Sequence, residues 1–271
     1  MSNHISVKFF GFIYSPITTE RFVKSLPQLI EELRRYFPRH KIPTLQGFQV
    51  EFSEEGIASK QVEEVQRELH MVDAQGLWGV KIGNSGVSFS TAEYISYTDA
   101  VVFIEKIVRI ISERLGIYHF ASVSLRNINL FNLLPGEDNQ FEDIKDKAYW
   151  GRQELETLQA DYFCNGASTR HEYISADWQT TIQLASGVVT DGQSHIPREE
   201  WELWKLRGGV PVQKDGKTEL LVDINGARFE APINDPKQQN NVSEYTWEAI
   251  KKSFDELHEV VNSVYSDITK E

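Results

Sequence analysis

Cysteine is almost missing from the sequence, since Cys164 is the only one in 271 residues. A single cysteine excludes an intramolecular disulfide framework and any zinc site that needs several thiolates. Long apolar runs are missing as well, because none approaches the roughly 18 residues that span a bilayer. The first residues, MSNHISVKFFGFIY, lack the charged region and the cleavage site of a signal peptide. We therefore expect a cytoplasmic protein that does not interact with a membrane.

The short motifs that mark common enzyme classes are also missing. The sequence has no GxxxxGK[ST] phosphate loop, no GxGxxG dinucleotide turn and no GxSxG nucleophile elbow. Its seven histidines never occur as HxH or HExxH, so no local pattern supplies the three or four ligands of a zinc ion. We therefore predict no cofactor and no bound metal, and we favour a protein that is not an enzyme.

The net charge of −12 is confined to one half of the chain. Residues 1–135 carry 14 basic and 14 acidic side chains, whereas residues 136–271 carry 14 basic and 26 acidic ones. An acidic half repels phosphate backbones, which disfavours general nucleic-acid binding. The acidity either keeps the protein soluble or forms a face that docks a basic partner.

Hydrophobic periodicity predicts both long helices and strands. The clearest helix is 98–115, in which apolar residues repeat at helical spacing: Val101, Ile104, Ile107, Val108, Ile111 and Leu115. Another helix begins near Thr18 or Thr19, and Pro27 inside it predicts a kink or a break. A terminal helix covers 244–268, and one or two helical turns begin at Pro197. Residues 60–73 fit a helix as well as a strand. Strands are predicted at 4–13, 44–53, 66–73, 77–82, 86–90, 121–131, 155–165, 170–176, 179–188 and 219–231.

The order of these elements predicts an α+β fold with mostly antiparallel sheets and long helices on one side. The composition changes after Pro135, where an acidic connector begins. We therefore expect an N-terminal α+β subdomain at 1–135 and an acidic C-terminal α+β subdomain at 136–271, packed as one unit. Each half ends in a strand, a polar turn and a long helix, which is compatible with two related subdomains.

Several segments, taken in order, resemble a sporadically distributed family of uncharacterised bacterial α+β proteins. They are LIEELRRYFP, VSFSTAEYISYTDAVVFIEKIV, VSLRNINLF, LLVDINGAR and FDELHEVVNSVYSDIT. The resemblance covers nearly the whole chain except about 136–215. A strand of that family usually carries Arg, Tyr, an aliphatic residue and Asn; Arg126, Ile128 and Asn129 match it, and Asn127 replaces the tyrosine. The family's patchy distribution is similar to that of genes in phage-defence or mobile islands, so the resemblance implies a role in such a system.

The strand ASVSLRNINLF, residues 121–131, places polar side chains where apolar ones are expected. By alternation, Asn127 and Asn129 share one face and Arg126 lies on the other. A buried guanidinium needs a carboxylate or several carbonyls, and Asp223 or Glu230 of the second half could supply it. We therefore favour Arg126 and Asn129 as polar residues that fasten the two halves; the alternative is a ligand-binding role.

Two tryptophans and one histidine are further candidates. Trp201 and Trp204 lie three residues apart in a segment rich in glutamate. They are candidate binding residues, because tryptophan is over-represented in binding hot spots, or they fill the core of the second half. His258 lies beside the apolar stripe of the last helix, where a structural polar contact is favoured over catalysis.

Three weaker patterns complete the candidates. Asp223 in LLVDING could bind a metal at a strand end, although a turn stabilised by its own side chains is favoured. Cys164 and His171 could form a nucleophile and its base, but a lone cysteine is more often a small buried residue. The basic cluster 34–41 could bind a phosphate or complement the dipole of the preceding helix.

These observations predict a non-enzymatic protein-interaction or sensor protein, with bacterial antiviral defence as the context that the resemblance implies. We expect a protein partner, and self-association is compatible with the sequence. One alternative is a divergent metal-dependent hydrolase or nuclease that uses Asp223, His171 or His258. Another is a nucleotide sensor that uses Arg34, Arg35 and Arg126.

Overall fold

The structure of the chain is a computed structural model. It describes residues 5–43, 45–53, 56–65, 68–93, 96–133, 141, 143–145, 168–214, 216, 218–230, 243–244 and 246–269. The predicted strand at 155–165 and the candidate Cys164 lie outside these ranges. No helix in the described ranges has both the length and the apolar character needed to cross a membrane.

The strands and helices follow one another in a mixed order along the chain. The strands are β1 (Ile5–Tyr14), β2 (Arg39–Lys41), β3 (Leu45–Ser53), β4 (Gly56–Val65), β5 (Glu68–Val72), β6 (Trp78–Gly83), β7 (Gly86–Thr91), β8 (His119–Asn132), β9 (Ser168–Ile174), β10 (Thr180–Val189), β11 (Glu219–Phe229) and β12 (Ser243–Glu244). The helices are α1 (Thr19–Leu33), α2 (Tyr97–Leu115), α3 (Trp201–Arg207) and α4 (Trp247–Ile268).

Most strands form one large antiparallel sheet. Its order is β2-β5-β6-β7-β1-β8-β11-β10-β9, and the short β12 also pairs with β8. Strands β3 and β4 form a separate antiparallel hairpin. An antiparallel sheet with helices that do not alternate strictly with its strands is an α+β fold, which confirms the predicted class.

Strand β8 joins the two halves of the sequence. It pairs with β1 on one side and with β11 on the other, in a register that runs from Asn132 opposite Glu219 to Ser122 opposite Phe229. The sheet therefore continues across the predicted boundary at residue 135. The division into two subdomains remains a prediction.

Alternation along the central strands divides the buried apolar residues between two clusters. Phe10 and Phe12 of β1 belong to a large cluster that also takes in the apolar residues of α1, α2 and α4. Val7 and Phe9 of the same strand belong to a small cluster, completed by Ile128, Ile196 and Trp204. The sheet face that carries this small cluster is called the α3 face below, because Trp204 of α3 packs against it.

Side-chain caps explain where the long helices begin. The hydroxyls of Thr18, Ser96 and Thr246 accept the backbone N–H three residues further on, at the starts of α1, α2 and α4. Helix α2 ends at Gly116, whose φ of 61° suits glycine. Of the two predicted effects of Pro27, the break is wrong, since α1 continues through it, and the kink remains a prediction. Leu26 and Leu29 are buried in the same cluster on either side of this proline, and this packing favours one helix.

The predicted turn within LLVDING is wrong. Strand β11 runs without interruption, and its register with β10 and β8 is continuous through Asp223 and Gly226. A Cβ on Gly226 would lie 3.2 Å from side-chain carbons of Leu257 and Val261. The glycine therefore allows α4 to approach the strand closely, which is a role in packing and not in a turn.

Candidate recognition site around Arg126

An ion pair between β8 and β11 is the centre of the candidate site. The Nε of Arg126 donates to Oδ1 of Asp223 at 2.9 Å and to Oδ2 at 3.1 Å. Its Nη2 donates to Oδ2 at 2.6 Å. Charge-assisted bonds of this kind fix the plane of a guanidinium as well as its position. The carboxylate partner that the sequence required for Arg126 is therefore Asp223.

A third charged residue reaches Arg126 from outside the sheet. The Nη1 of Arg126 donates to Glu199 at 3.2 Å. The side chain of Glu199 is 60% exposed, whereas that of Asp223 is 16% exposed. Burial opposes the charge of Arg126, but the carboxylate of Asp223 and then that of Glu199 outweigh it, so the pKa of the guanidinium is raised. Arg126 therefore remains a cation.

These three charged residues line a polar cavity of about 350 Å³ on the α3 face, called the Arg126 cavity below. Its remaining lining residues come from β9, β10 and β11: Arg170, Gln183, Ala185 and Asn225. Arg170 is exposed and brings a second guanidinium. The cavity thus combines two cations, two carboxylates and two side-chain amides, which can orient a polar ligand by charge and by hydrogen bonds.

The segment 195–207, called the α3 segment, lies beside this cavity and is held by polar contacts to several strands. Lys81 donates to Glu200 at 2.9 Å and to the backbone oxygen of Glu199 at 3.0 Å. Arg207 donates to both the backbone oxygen and the hydroxyl of Ser90 at 2.7 Å. The backbone next to Glu199 is therefore anchored, while its side chain projects toward solvent.

The two candidate tryptophans fill the small cluster. Trp204 is 7% exposed and lies beneath the guanidinium of Arg207, whose Cζ is 4.4 Å from the ring centroid. Trp201 is partly buried, and its Nε1 donates to the backbone oxygen of Ile196 at 3.0 Å. Neither indole is an exposed anchor in this arrangement. A binding role for them remains a prediction and would require the α3 segment to move.

The structure separates Asn127 and Asn129 from Arg126. Their side chains are buried on the opposite face of the sheet, as alternation along β8 requires. Nδ2 of Asn129 donates to the backbone oxygen of Val222 on β11 at 3.1 Å. The side-chain oxygens of both asparagines are buried without a hydrogen-bond partner among the described residues. Asn129 thus links β8 to β11, but it does not line the Arg126 cavity.

A second polar group lies near these asparagines, and its central residue was not among the candidates. Lys8 is completely buried and pairs in register with Asn127. Its Nζ lies 5.8 Å from the ring centroid of Tyr97, and burial lowers the pKa of Lys8 to about 7. The sequence indicated this burial, because Lys8, Phe10 and Phe12 alternate along the strand and therefore lie on the same, apolar face.

The half-buried His258 belongs to the same polar group. Its ring stacks on that of Tyr97 with centroids 3.9 Å apart, and Asn262 donates to its Nε2 at 3.2 Å. Burial and then the charge of Lys8 lower the pKa of His258 to about 4. The ring is therefore neutral at physiological pH. The structural polar role of His258 remains a prediction.

The other candidates lie apart from one another. Arg34 pairs with Glu31 at 2.9 Å, and Arg35 stacks on Tyr36 at 4.7 Å. His171 lies on β9, whereas His258 lies on α4. Within the described ranges, no group of three or more His, Cys, Asp or Glu side chains is arranged to hold a metal ion.

No protein-family model matches the chain. No curated protein matches it either.

Proposed function

We propose that the protein is a non-enzymatic interaction or sensor protein whose recognition site is the Arg126 cavity. The observation that carries this proposal is the arrangement of the Arg126 guanidinium. Asp223 binds its Nε and Nη2, while Nη1 contacts the exposed carboxylate of Glu199 at the cavity. Arg126 is thus fixed in orientation and presents one end to a carboxylate that solvent can reach.

The chemistry of the cavity favours a ligand that carries a carboxylate. Such a group can replace Glu199 at Nη1 of Arg126, since an exposed ion pair contributes only about 0–1 kcal/mol. Arg170 then supplies a second cation, and Gln183 and Asn225 supply amides from the same cavity. The ligand is a small dicarboxylic acid or an acidic side chain of a protein partner.

The biological context comes from the family resemblance alone. It supports a cytoplasmic role in bacterial phage defence or in another mobile-island system. We also propose that residues 1–135 and 136–271 are related subdomains packed as one unit, with the long helices on one side of the sheet. In that arrangement, a ligand in the Arg126 cavity contacts residues of both halves.

The hydrolase or nuclease alternative is less well supported. Asp223 was its best metal ligand, but both carboxylate oxygens already accept hydrogen bonds from Arg126. A guanidinium in this position competes with a metal ion for the same oxygens. For the nucleotide-sensor alternative, Arg34 and Arg35 directly follow the end of α1, whereas Arg126 lies on β8. The three arginines contact three different residues, Glu31, Tyr36 and Asp223 respectively.

Isothermal titration calorimetry with glutarate tests the proposal, and the neutral glutaramide serves as the matched ligand. We expect Glu199→Gln to bind glutarate up to about fivefold more tightly than the unaltered protein, because it removes a competing ion pair of about 0–1 kcal/mol. Adding Arg170→Gln to the Glu199→Gln variant should weaken its binding of glutarate, because the second cation is lost. Glu259→Gln on the exposed side of α4 changes the net charge equally and should have no effect. Equal binding by the Glu199 and Glu259 variants would contradict a site at Arg126.

A partner can be tested in parallel. The tagged protein and its Arg170→Gln variant would be purified from the native host, and the co-eluting proteins and small molecules identified by mass spectrometry. A stoichiometric partner that the variant loses supports recognition through the cavity. A bound metal with turnover in its presence would instead favour the hydrolase alternative.

A further inference from the structure

Strand β9 is the last strand of the sheet that the described residues form, and its outer edge pairs with none of those residues. It pairs with β10, and no other described strand pairs with it. Six of its seven residues, 168 and 170–174, are exposed. Tyr173 and Ile174 are 53% and 47% exposed, and Trp178 in the following turn is 43% exposed. An accessible edge that carries large apolar side chains is a template for pairing with another strand.

The hydrogen bonds of the hairpin fix which backbone groups point outward. The N–H of Ser175 donates to the oxygen of Thr180 at 2.9 Å, so these two residues face each other across the hairpin. Along each strand of an antiparallel pair, successive residues direct their backbone N–H and C=O groups alternately toward the partner strand and away from it. His171 and Tyr173 therefore direct their backbone groups toward β10. Arg170, Glu172 and Ile174 direct theirs away from it, to the open edge.

We propose that the partner of this edge is β9 of a second copy of the chain. Two antiparallel copies related by a twofold axis can match their outward groups with the axis at any residue of β9, and the overlap is longest when the axis lies near the middle of the strand, at His171 or at Glu172. An axis at Glu172 places that carboxylate opposite its own copy, which is unfavourable. An axis at His171 places Arg170 opposite Glu172 of the second copy, and Glu172 opposite Arg170 of the second copy. Charge complementarity thus selects both the partner and the register.

This register also places the exposed apolar side chains beside small ones. Tyr173 lies opposite Thr169 of the second copy, and Ile174 lies opposite Ser168 of the second copy. Aromatic and β-branched side chains pack well against such neighbours on a sheet. The two sheets then form one continuous antiparallel sheet through the dimer. Because a single pair of short strands is a small interface, the dissociation constant is in the micromolar range.

The dimer does not depend on the function proposed for the Arg126 cavity. Arg170 contributes to both, but the dimer forms without a ligand and uses the backbone of β9. Sedimentation velocity of the ligand-free full chain over a range of concentrations therefore tests it separately. The unaltered protein should change from monomer to dimer across micromolar concentrations at physiological salt, where its negative charge is screened.

Charge exchange tests the register. Arg170→Glu places two carboxylates opposite each other at two positions and should raise the dissociation constant at least about tenfold. Combining Arg170→Glu with Glu172→Arg restores opposite charges and should return the constant to within about threefold of the original. Restoration by the double exchange distinguishes pairing in this register from a general effect of surface charge.

Two further variants test the β9–β9 dimer without exchanging the charges of Arg170 and Glu172. Glu172→Pro removes an outward N–H but none that bonds to β10, so it should leave the protein folded and monomeric. His171→Cys in a Cys164→Ser background should form a disulfide between copies. Directly opposed residues at such a position have Cα atoms about 4.5 Å apart, which is within disulfide range.

Three results would overturn the proposal. The unaltered chain could remain a monomer up to about millimolar concentration, far beyond the micromolar range expected for so small an interface. A dimer could form but be unaffected by Glu172→Pro, which would place its interface elsewhere. A heterologous protein could occupy β9 in a purified complex while the free chain never dimerises, which would assign the edge to a different partner.

Discussion

Lys8 occupies an environment that is unusual for a lysine. Its side chain is 0% exposed on a central strand of the sheet, and burial lowers its pKa from 10.5 to about 7. The unfolded chain therefore binds the proton more strongly than the folded protein does. The folded protein loses stability as the pH falls from 10.5 to about 7, and this loss stays constant below pH 7.

We predict that Lys8→Met stabilises the protein, and more so at low pH. Methionine fills a similar volume without a charge to desolvate, so the free energy of unfolding should rise by about 2 kcal/mol at pH 6. The gain should shrink at pH 10, where the lysine of the folded protein is already neutral. Urea denaturation at the two pH values measures both effects. Lys252→Met, at a side chain that is 79% exposed, is the control. A destabilised Lys8 variant at pH 6 would show that the charge is required.

Arg126 and Asp223 connect elements that are far apart in sequence. We predict that Arg126→Met lowers the free energy of unfolding by about 2 kcal/mol, since it leaves a half-buried carboxylate without its cation. Asp223→Asn should cost a similar amount, and the double variant less than the sum of the two. Chemical denaturation of the three variants gives the coupling energy. Arg34→Met removes an exposed ion pair at the C-terminal end of α1 and should change stability by less than about 0.5 kcal/mol.

The ligand-binding and fastening roles of Arg126 give different results in the same variant. If Arg126→Met kept the original melting temperature but lost glutarate or a partner, the residue would serve recognition and not the connection of β8 to β11. Loss of stability alone would support fastening. The proposed site predicts that Arg126→Met loses both thermal stability and ligand binding, because the guanidinium is bound to Asp223 at one end and faces the cavity at the other.

Gly226 controls how closely α4 packs on the sheet. We predict that Gly226→Ala lowers the free energy of unfolding by about 1–2 kcal/mol, because the added methyl group contacts Leu257 and Val261 in a filled cluster. Combining it with Val261→Ala should cost less than the two separate losses, since the smaller side chain leaves room for the methyl group. Thermal and urea denaturation check this. Strictly additive losses would show that the glycine is not required for the approach of α4.

The sequence predicts those elements whose signal is local. Helix α2 has an unbroken apolar stripe and a cap at each end, and β8 alternates clearly, so both were predicted within a few residues. A break at Pro27 and a turn in LLVDING do not form, because tertiary packing overrides the local preferences. A helix face is buried around the proline, and Gly226 lies under α4. The need of Arg126 for a carboxylate followed from the sequence, but the choice of Asp223 over Glu230 depends on the β8–β11 register.

The Arg126 cavity itself could not be predicted because its residues come from five separated elements. Arg170, Gln183 and Asn225 are ordinary polar strand residues until β9, β10 and β11 are aligned beside β8. Lys8 was overlooked for a different reason. Its alternation with Phe10 and Phe12 was visible, but a lysine among apolar residues is usually assigned to a strand's exposed face.

At the scale of the whole molecule, the balanced half and the acidic half of the sequence share one sheet and one large cluster. Phe10 of β1 contacts Phe254 of α4, with ring centroids 6.0 Å apart. Strand β8 lies between β1 and β11. Unfolding either half would therefore expose backbone groups and apolar side chains of the other, which couples their stabilities.

We predict that the full chain unfolds in one cooperative transition. The calorimetric enthalpy should equal the van't Hoff enthalpy, and circular dichroism and tryptophan fluorescence should report the same midpoint. Amides of β1, β8 and β11 should exchange hydrogen only through that global unfolding, because these adjacent strands lie at the centre of the sheet. Two separate transitions, with β1 and β11 exchanging through different ones, would mean that residues 1–135 and 136–271 are independent domains. The ion pair of Arg126 and Asp223 would then be an interdomain contact, and Arg126→Met should bring the two transitions further apart.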